Sequence, residues 1–332
     1  MSEVLKGKVA VVVGSGQGIG RAIAIGMAQE GASVVTNNRK PGGTGNAFIT
    51  DDQLHSMKKD QCAWYETEMA SICGDAEGTA AIIKKLGGDA TPFYGDVTDF
   101  ETAGKLIQTA VDTYGRVDIL ANIAGAFGIS PIEDLTEEIW DRVTAVKPKG
   151  YFNTIRHAVP HMIKQRSGRI INTTSRAFNG DTIKHAEYCA ANGGAYALTK
   201  AVAIELWQYG ITCNAISPFA KTRASYELEG LAEVVDDGKV WVSGSGMKML
   251  DITPGPEYIA PFTIYLASDA AAGITGAVFN LGGNGIGIYT EPVISKTLTK
   301  FDDKPWTQDE LAAQVPRGLL QGYRNLGEYP LG

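Results

Sequence analysis

The chain has 332 residues, 44% of them hydrophobic and 20% charged, and a net charge of −7. This is a folding composition, which excludes a disordered or collagen-like chain, and its acidic balance offers nothing to nucleic acid or an anionic membrane. No apolar run reaches the roughly 18 residues a membrane helix needs, and MSEVLKGKVAVVVG lacks a signal-peptide core, so a cytoplasmic protein is expected.

Lys8 to Val13 is a short, almost wholly apolar run, as expected of a parallel strand buried on both faces. Gly14-Ser15-Gly16-Gln17-Gly18-Ile19-Gly20 follows at once, then a helix over Arg21 to Glu30 and a strand over Ala32 to Thr36. Glycines between a strand and a helix allow a tight turn and the approach of a pyrophosphate to free N–H groups at the helix start. Residues 41–75 are too long for an ordinary link and read as an insertion, with one short helix near Trp64 to Ile72. A helix over Ala76 to Leu86, a strand over Ala90 to Tyr94, a helix over Glu101 to Tyr114 and a strand over Asp118 to Ala121 come next. Ile139 to Arg166 reads as a long helical stretch interrupted at Pro148. Arg169 to Thr173 is a strand, 188–209 a helix and Thr212 to Ile216 a strand. The polar segment 223–252 is expected to cover a pocket. Glu257 to Leu266 is a helix, Ala277 to Asn280 the last strand, and the tail from Glu291 carries one helix near Thr307 to Val315. The cysteines at 62, 73, 189 and 213 have no metal-ligand spacing, so free thiols and no metal site are expected.

Repeated strand–helix units imply an α/β fold with a doubly wound parallel sheet and a ligand beyond the strands' carboxyl ends. Strand two ends in Asn37-Asn38-Arg39-Lys40, where NAD enzymes usually place an acid for the ribose 2′-hydroxyl. No carboxylate is there to repel a 2′-phosphate, and two cations could hold one. NADP(H) is therefore favoured over NAD(H), the plainer alternative being a solvated basic strand end.

GSGQGIG at 14–20, Asp96-Val97, NIAG at 122–125, Ser175, a Tyr-bearing helix and Asn214 to Pro218 together resemble the classical short-chain dehydrogenases/reductases over about residues 6–284. A narrower likeness is to the subgroup containing the dehydrogenase part of multifunctional 3-hydroxyacyl-CoA enzymes. The resemblance implies a Rossmann-type domain over 1–290, holding insertion 41–75 and segment 223–252, with 291–332 as a C-terminal extension. It implies a cofactor site at Gly14, Ser15, Gln17, Gly18, Ile19, Gly20, Asn38, Arg39, Lys40, Asp96, Val97, Asn122, Ala124, Gly125, Tyr188, Asn192, Pro218 and Thr222. It also implies hydride transfer between a nicotinamide and a ketone or secondary alcohol, with 3-oxoacyl/3-hydroxyacyl and cyclic compounds as candidate substrates.

The family uses an Asn–Ser–Tyr–Lys tetrad. Tyr196-Ala-Leu-Thr-Lys200 matches the YxxxK string, yet Ser175 and Tyr188 have the family's separation of 13 positions (188 − 175), whereas Tyr196 lies 21 away (196 − 175). Tyr188 is thus the expected acid/base, with Ser175 holding the substrate oxygen. The family's Lys position is then Asn192, and its Asn position, just before Gly150, is Lys147. Either the cation and the amide have exchanged places or both positions have decayed. An exchange keeps one cation near the phenol and is expected to lower its pKa. Decay would fit a non-catalytic dinucleotide-binding subunit of a hetero-oligomer. Arg176, Phe178, His185 and Trp241 are pocket candidates by position, and a solvated loop is the alternative for His185. The expected partners are a small-molecule substrate and other copies of the chain, as a homodimer or homotetramer.

Overall fold

The computed structural model describes residues 3–43, 59–180, 182, 184–226, 253–301 and 305–322. Contacts divide the chain into two units, Met1–Ile288 and Tyr289–Gly332.

The first unit is built on strands β1 (Val9–Val13), β2 (Ser33–Asn38), β3 (Asp89–Tyr94), β4 (Ile119–Asn122), β5 (Gly168–Thr173), β6 (Ile211–Phe219), β7 (Val278–Gly282) and β8 (Gly285–Ile288). They form one sheet in the order β3-β2-β1-β4-β5-β6-β7-β8. Every pairing is parallel except β7 with β8. The helices are α1 (Gly18–Gln29), α2 (Lys59–Ile72), α3 (Ala76–Lys85), α4 (Phe100–Tyr114), α5 (Glu137–Thr144), α6 (Tyr151–Gln165), α7 (Ala186–Leu206) and α8 (Ala260–Ala267).

Strand periodicity explains the two layers. Along β1, Ala10 and Val12 join a core with Ile23 and Met27 of α1, Ile83 of α3 and Ile264 of α8. Val9, Val11 and Val13 point the other way, into a core with Leu106 of α4, Ile155 of α6 and Val202 of α7. β1 is thus covered on both faces, hence its unbroken apolar run. Strand order reverses at β1, where β2 lies on one side and β4 on the other, so the crevice of the doubly wound fold opens there.

The structure departs from the sequence expectation in three places. The inserted helix begins at Lys59 rather than near Trp64. Within 139–166 the chain breaks at Lys147, whose backbone is extended (φ −129°, ψ 129°), and the Lys147–Pro148 peptide is cis. β8 was unexpected, because its exposed Ile286 and Ile288 alternate with glycines and give no buried-strand signal. Segment 227–252, with Trp241, lies outside the described residues.

In the second unit, Thr307 caps helix α9 (Gln308–Gln314) in a reciprocal box with Glu310. Lys300 pairs with the Glu310 carboxylate at 2.8 Å and holds it at a pKa of about 2. No helix among the described residues is long and apolar enough to cross a membrane.

Candidate active site

A cleft of about 1380 Å³ runs over the carboxyl ends of the strands. Its floor at one end is the glycine-rich turn. Gly14 has φ +79°, and a side chain there would meet the Ala124 backbone at 2.7 Å. A Cβ on Gly20 would lie 2.2 Å from the Gly14 carbonyl oxygen, so turn and helix touch backbone to backbone. α1 starts without a side-chain cap or an acidic residue in its first turn, and the buried Gln17 Oε1 has no hydrogen-bond partner among the described residues. Unspent N–H groups at a helix start in a cleft suit a pyrophosphate.

The neighbouring residues divide into wall and support. Gln17, Gly18, Ile19, Asn38, Arg39, Asp96, Val97, Ala124, Gly125, Pro218 and Thr222 line the cleft with Gly14 and Gly20. Ser15 is buried support, donating to the Val12 carbonyl while accepting from the Asn37 N–H. Asn38 spends its amide inside the protein, accepting from Ala76 N–H at 2.7 Å and donating to the Lys40 carbonyl at 2.8 Å. Asn122 ties β4 to its surroundings through Asn172 and Thr154. Of the basic pair after β2, Arg39 faces the cleft and Lys40 is exposed.

At the other end lie Ser175, Tyr188 and Lys147, with Asn192 buried beneath them. The break at Lys147 turns its side chain inward. Its amine donates to Asn192 Oδ1 at 3.3 Å, while Asn192 Nδ2 donates to the Tyr188 carbonyl one turn back at 2.8 Å. A Cβ on Gly125 would lie 3.6 Å from the Lys147 amine, which is therefore held between the NIAG segment and α7. Gly194 makes this approach feasible, since a Cβ there would lie 2.8 Å from the Pro148 ring.

Burial dominates the electrostatics. It pulls the Lys147 amine from 10.5 down to about 7. It raises the Tyr188 phenol, against hydrogen bonding to Ser175 and Asn192, which favours the phenolate. This corrects the expectation that Lys147 lowers the Tyr188 pKa. The amine bonds to Asn192, and burial drives both groups toward their neutral forms.

Tyr196 stacks on Phe178 at 4.6 Å and Lys200 lies over the Tyr196 ring at 5.4 Å. None of these three lines the cleft among the described residues, and Arg176 is exposed. His185 is buried behind Tyr188, with ring centroids 6.0 Å apart. The lining also contains Phe127, Arg142 and Val146, which sequence reasoning missed because loop and helix-end residues follow no apolar period.

A doubly wound sheet, an anion-accepting helix start and a Ser–Tyr pair at the opposite end of one cleft define a dinucleotide-dependent oxidoreductase. The family model described as enoyl-(acyl carrier protein) reductase matches residues 69–283. The 3-oxoacyl-[acyl-carrier-protein] reductase FabG of Thermotoga maritima is 31% identical over 280 residues, covering 84% of this chain and 98% of its own. Hydroxyacyl-CoA dehydrogenase ChsB1 of Mycobacterium tuberculosis is 30% identical over 320 residues, covering 94% of this chain and 88% of its own. The crystal structure of a short chain dehydrogenase from Mycobacterium avium superposes with a TM-score of 0.72 at 30% identity, covering 95% of each chain. The chain belongs to the short-chain dehydrogenase/reductase family and is an NAD(P)-dependent oxidoreductase.

Proposed function

We propose that the protein transfers hydride between NADP(H) and a ketone or secondary alcohol, using Tyr188, Ser175, Lys147 and Asn192. The observation that carries this reading is the 3.3 Å bond between Lys147 and Asn192 beside Tyr188. The two exchanged residue types meet each other in a buried pair, as a compensated exchange requires and unrelated decay does not. When bound, the nicotinamide supplies or accepts the hydride. Gly14 and Gly18 to Gly20 would hold its pyrophosphate, and Gly125 and Lys147 its nicotinamide end, while Asn192, expected from sequence to touch the cofactor, is buried below the cleft and acts through Lys147. In reduction, the Ser175 hydroxyl holds the substrate oxygen and Tyr188 protonates it as the alkoxide forms. Asn192 holds the Lys147 amine beside Tyr188, and that amine is able to carry a proton near neutral pH. The names of the two curated relatives point to 3-oxoacyl or 3-hydroxyacyl thioesters as the first compounds to try.

Reduction of acetoacetyl-CoA and of cyclohexanone, followed by NADPH absorbance, tests the reading. Turnover of either, abolished by Tyr188→Phe with NADPH still bound, is the expected result. NADPH binding with no turnover of any ketone or alcohol would favour the non-catalytic subunit instead. Arg39 at the cleft supports NADP(H). NADPH should bind tighter than NADH, and Arg39→Ala should weaken NADPH selectively; equal dissociation constants in the unmutated protein would contradict this. We also infer a dimer or tetramer, since Phe152 of α6 and Ile204 of α7 stand exposed on the helices that carry the site.

A further inference from the structure

Glu187 is a fully buried carboxylate that the chemistry above leaves unused. It sits in the first turn of α7, where the helix dipole favours negative charge, and directly precedes Tyr188. Its Oε1 accepts the Gly128 N–H at 3.0 Å, and the His185 ring nitrogen Nδ1 lies 3.9 Å from the same oxygen. Its Oε2 has no hydrogen-bond partner among the described residues. A buried carboxylate spent on one backbone N–H is costly unless the position of that backbone matters.

The peptide it grips is Phe127–Gly128. Arg142 of α5 donates to the Phe127 carbonyl at 3.4 Å, so opposite charges hold the two ends of one peptide unit. Just beyond, the Ser130 N–H donates to the Lys184 carbonyl at 2.9 Å, joining the same two segments a second time. Gly128 has no room to move toward α5, since a Cβ there would lie 2.4 Å from Ile139. Phe127 is thereby fixed with its ring edge-on to the Tyr188 ring, centroids 5.3 Å apart, where it lines the cleft.

We propose that Glu187 is a positioning residue: by holding the Phe127–Gly128 peptide it seats the Phe127 ring against Tyr188, where it forms the apolar wall for the substrate's carbon skeleton. The inference rests on Tyr188 being the acid/base. It makes a substrate with an apolar group beside its carbonyl the favoured class.

The test has a structural arm and a kinetic arm. Amide exchange over 125–130 in the cofactor-free protein reads the grip without any turnover. Glu187→Leu removes the acceptor and should speed exchange at Gly128 at least tenfold. Glu187→Gln retains an acceptor oxygen and should keep most of the protection. In NADPH-dependent reduction of acetoacetyl-CoA and cyclohexanone, Glu187→Leu should raise KM about tenfold, the loss of one charge-assisted hydrogen bond, with NADPH affinity unaltered. Phe127→Leu should give the same rise, and Glu187→Leu/Phe127→Leu should be no worse than either, because both remove one wall. Unaltered Gly128 exchange in Glu187→Leu overturns the inference whatever the activity. So does full additivity of the two substitutions. If Glu187→Leu fails to fold, Glu187→Gln decides by the same two measurements: loss of protection there, with no acceptor removed, overturns the inference. Retained grip with no turnover by the unmutated enzyme would instead count against the proposed function.

Discussion

Lys147 is a lysine that the fold takes almost entirely out of water, at a cost set by its shift from 10.5 to about 7. Each unit is worth about 1.4 kcal/mol, so the cost is several kcal/mol at neutral pH, against about 1 kcal/mol returned by its hydrogen bond to Asn192. The folded pKa lies below the unfolded one, so the unfolded chain holds the extra proton between these values and stability rises with pH across that window. Lys147→Met should therefore raise the melting temperature by several degrees at pH 7 and below, with the gain fading toward pH 10. A gain that is the same at both pH values, or a loss at pH 7, would contradict this account of Lys147. The spacing from Ser175 singles out Tyr188, and with it positions 147 and 192, and the structure brings these residues together. Phe127 and Glu187 were not readable, because their roles depend on one backbone N–H brought from a distant loop. The direction of the phenol's shift was also out of reach, since burial outweighs the charge that sequence alone can count.

Two elements set the site's geometry. One is the break between α5 and α6, which needs both the extended Lys147 backbone and a bare α7 surface at Gly194. Gly194→Ala would overpack against the rigid Pro148 ring and should cost about 1–3 kcal/mol by denaturant unfolding. An unchanged midpoint would show that the two helices can part. The other is the insertion, whose end rests on the glycine-rich turn. Arg21 donates twice to the Gly16 carbonyl and once to that of Cys73, and a Cβ on Gly74 would collide with its guanidinium. Tyr65 and Met69 of α2 pack with Ile129 and with Tyr226, which lines the cleft. Arg21→Met should weaken NADPH binding roughly tenfold by freeing the turn, as read by fluorescence titration. Equal affinity would mean that the turn holds its shape alone. Strong patterns made the core strands and helices legible, down to the interruption near Pro148. The insertion's contacts were illegible because α2 has a weak apolar face and meets two loops rather than the sheet.

The first unit is built on one sheet with its crevice at the β1–β4 reversal, and the described cleft follows that line. At this scale sequence reading succeeded because the order of strand–helix units leaves few topologies open. It fell short on assembly, for which exposed Phe152 and Ile204 give the expectation of a dimer or tetramer by light scattering at micromolar concentration; a monomeric mass would contradict it. The central claim is that Tyr188 exchanges the proton with Lys147 behind it, while Tyr196 and Lys200 stand aside. The most direct measurement is the pH dependence of ketone reduction, under conditions where hydride transfer limits the rate, for the unmutated protein, Tyr188→Phe, Lys147→Met, Tyr196→Phe and Lys200→Met. The unmutated profile should bend near pH 7, where Lys147 titrates. Lys147→Met should lose that bend, Tyr188→Phe should lose nearly all turnover, and the Tyr196 and Lys200 variants should keep the unmutated profile. An active Tyr188→Phe beside an inactive Tyr196→Phe, or a Lys147→Met profile superimposable on that of the unmutated protein, would contradict the account.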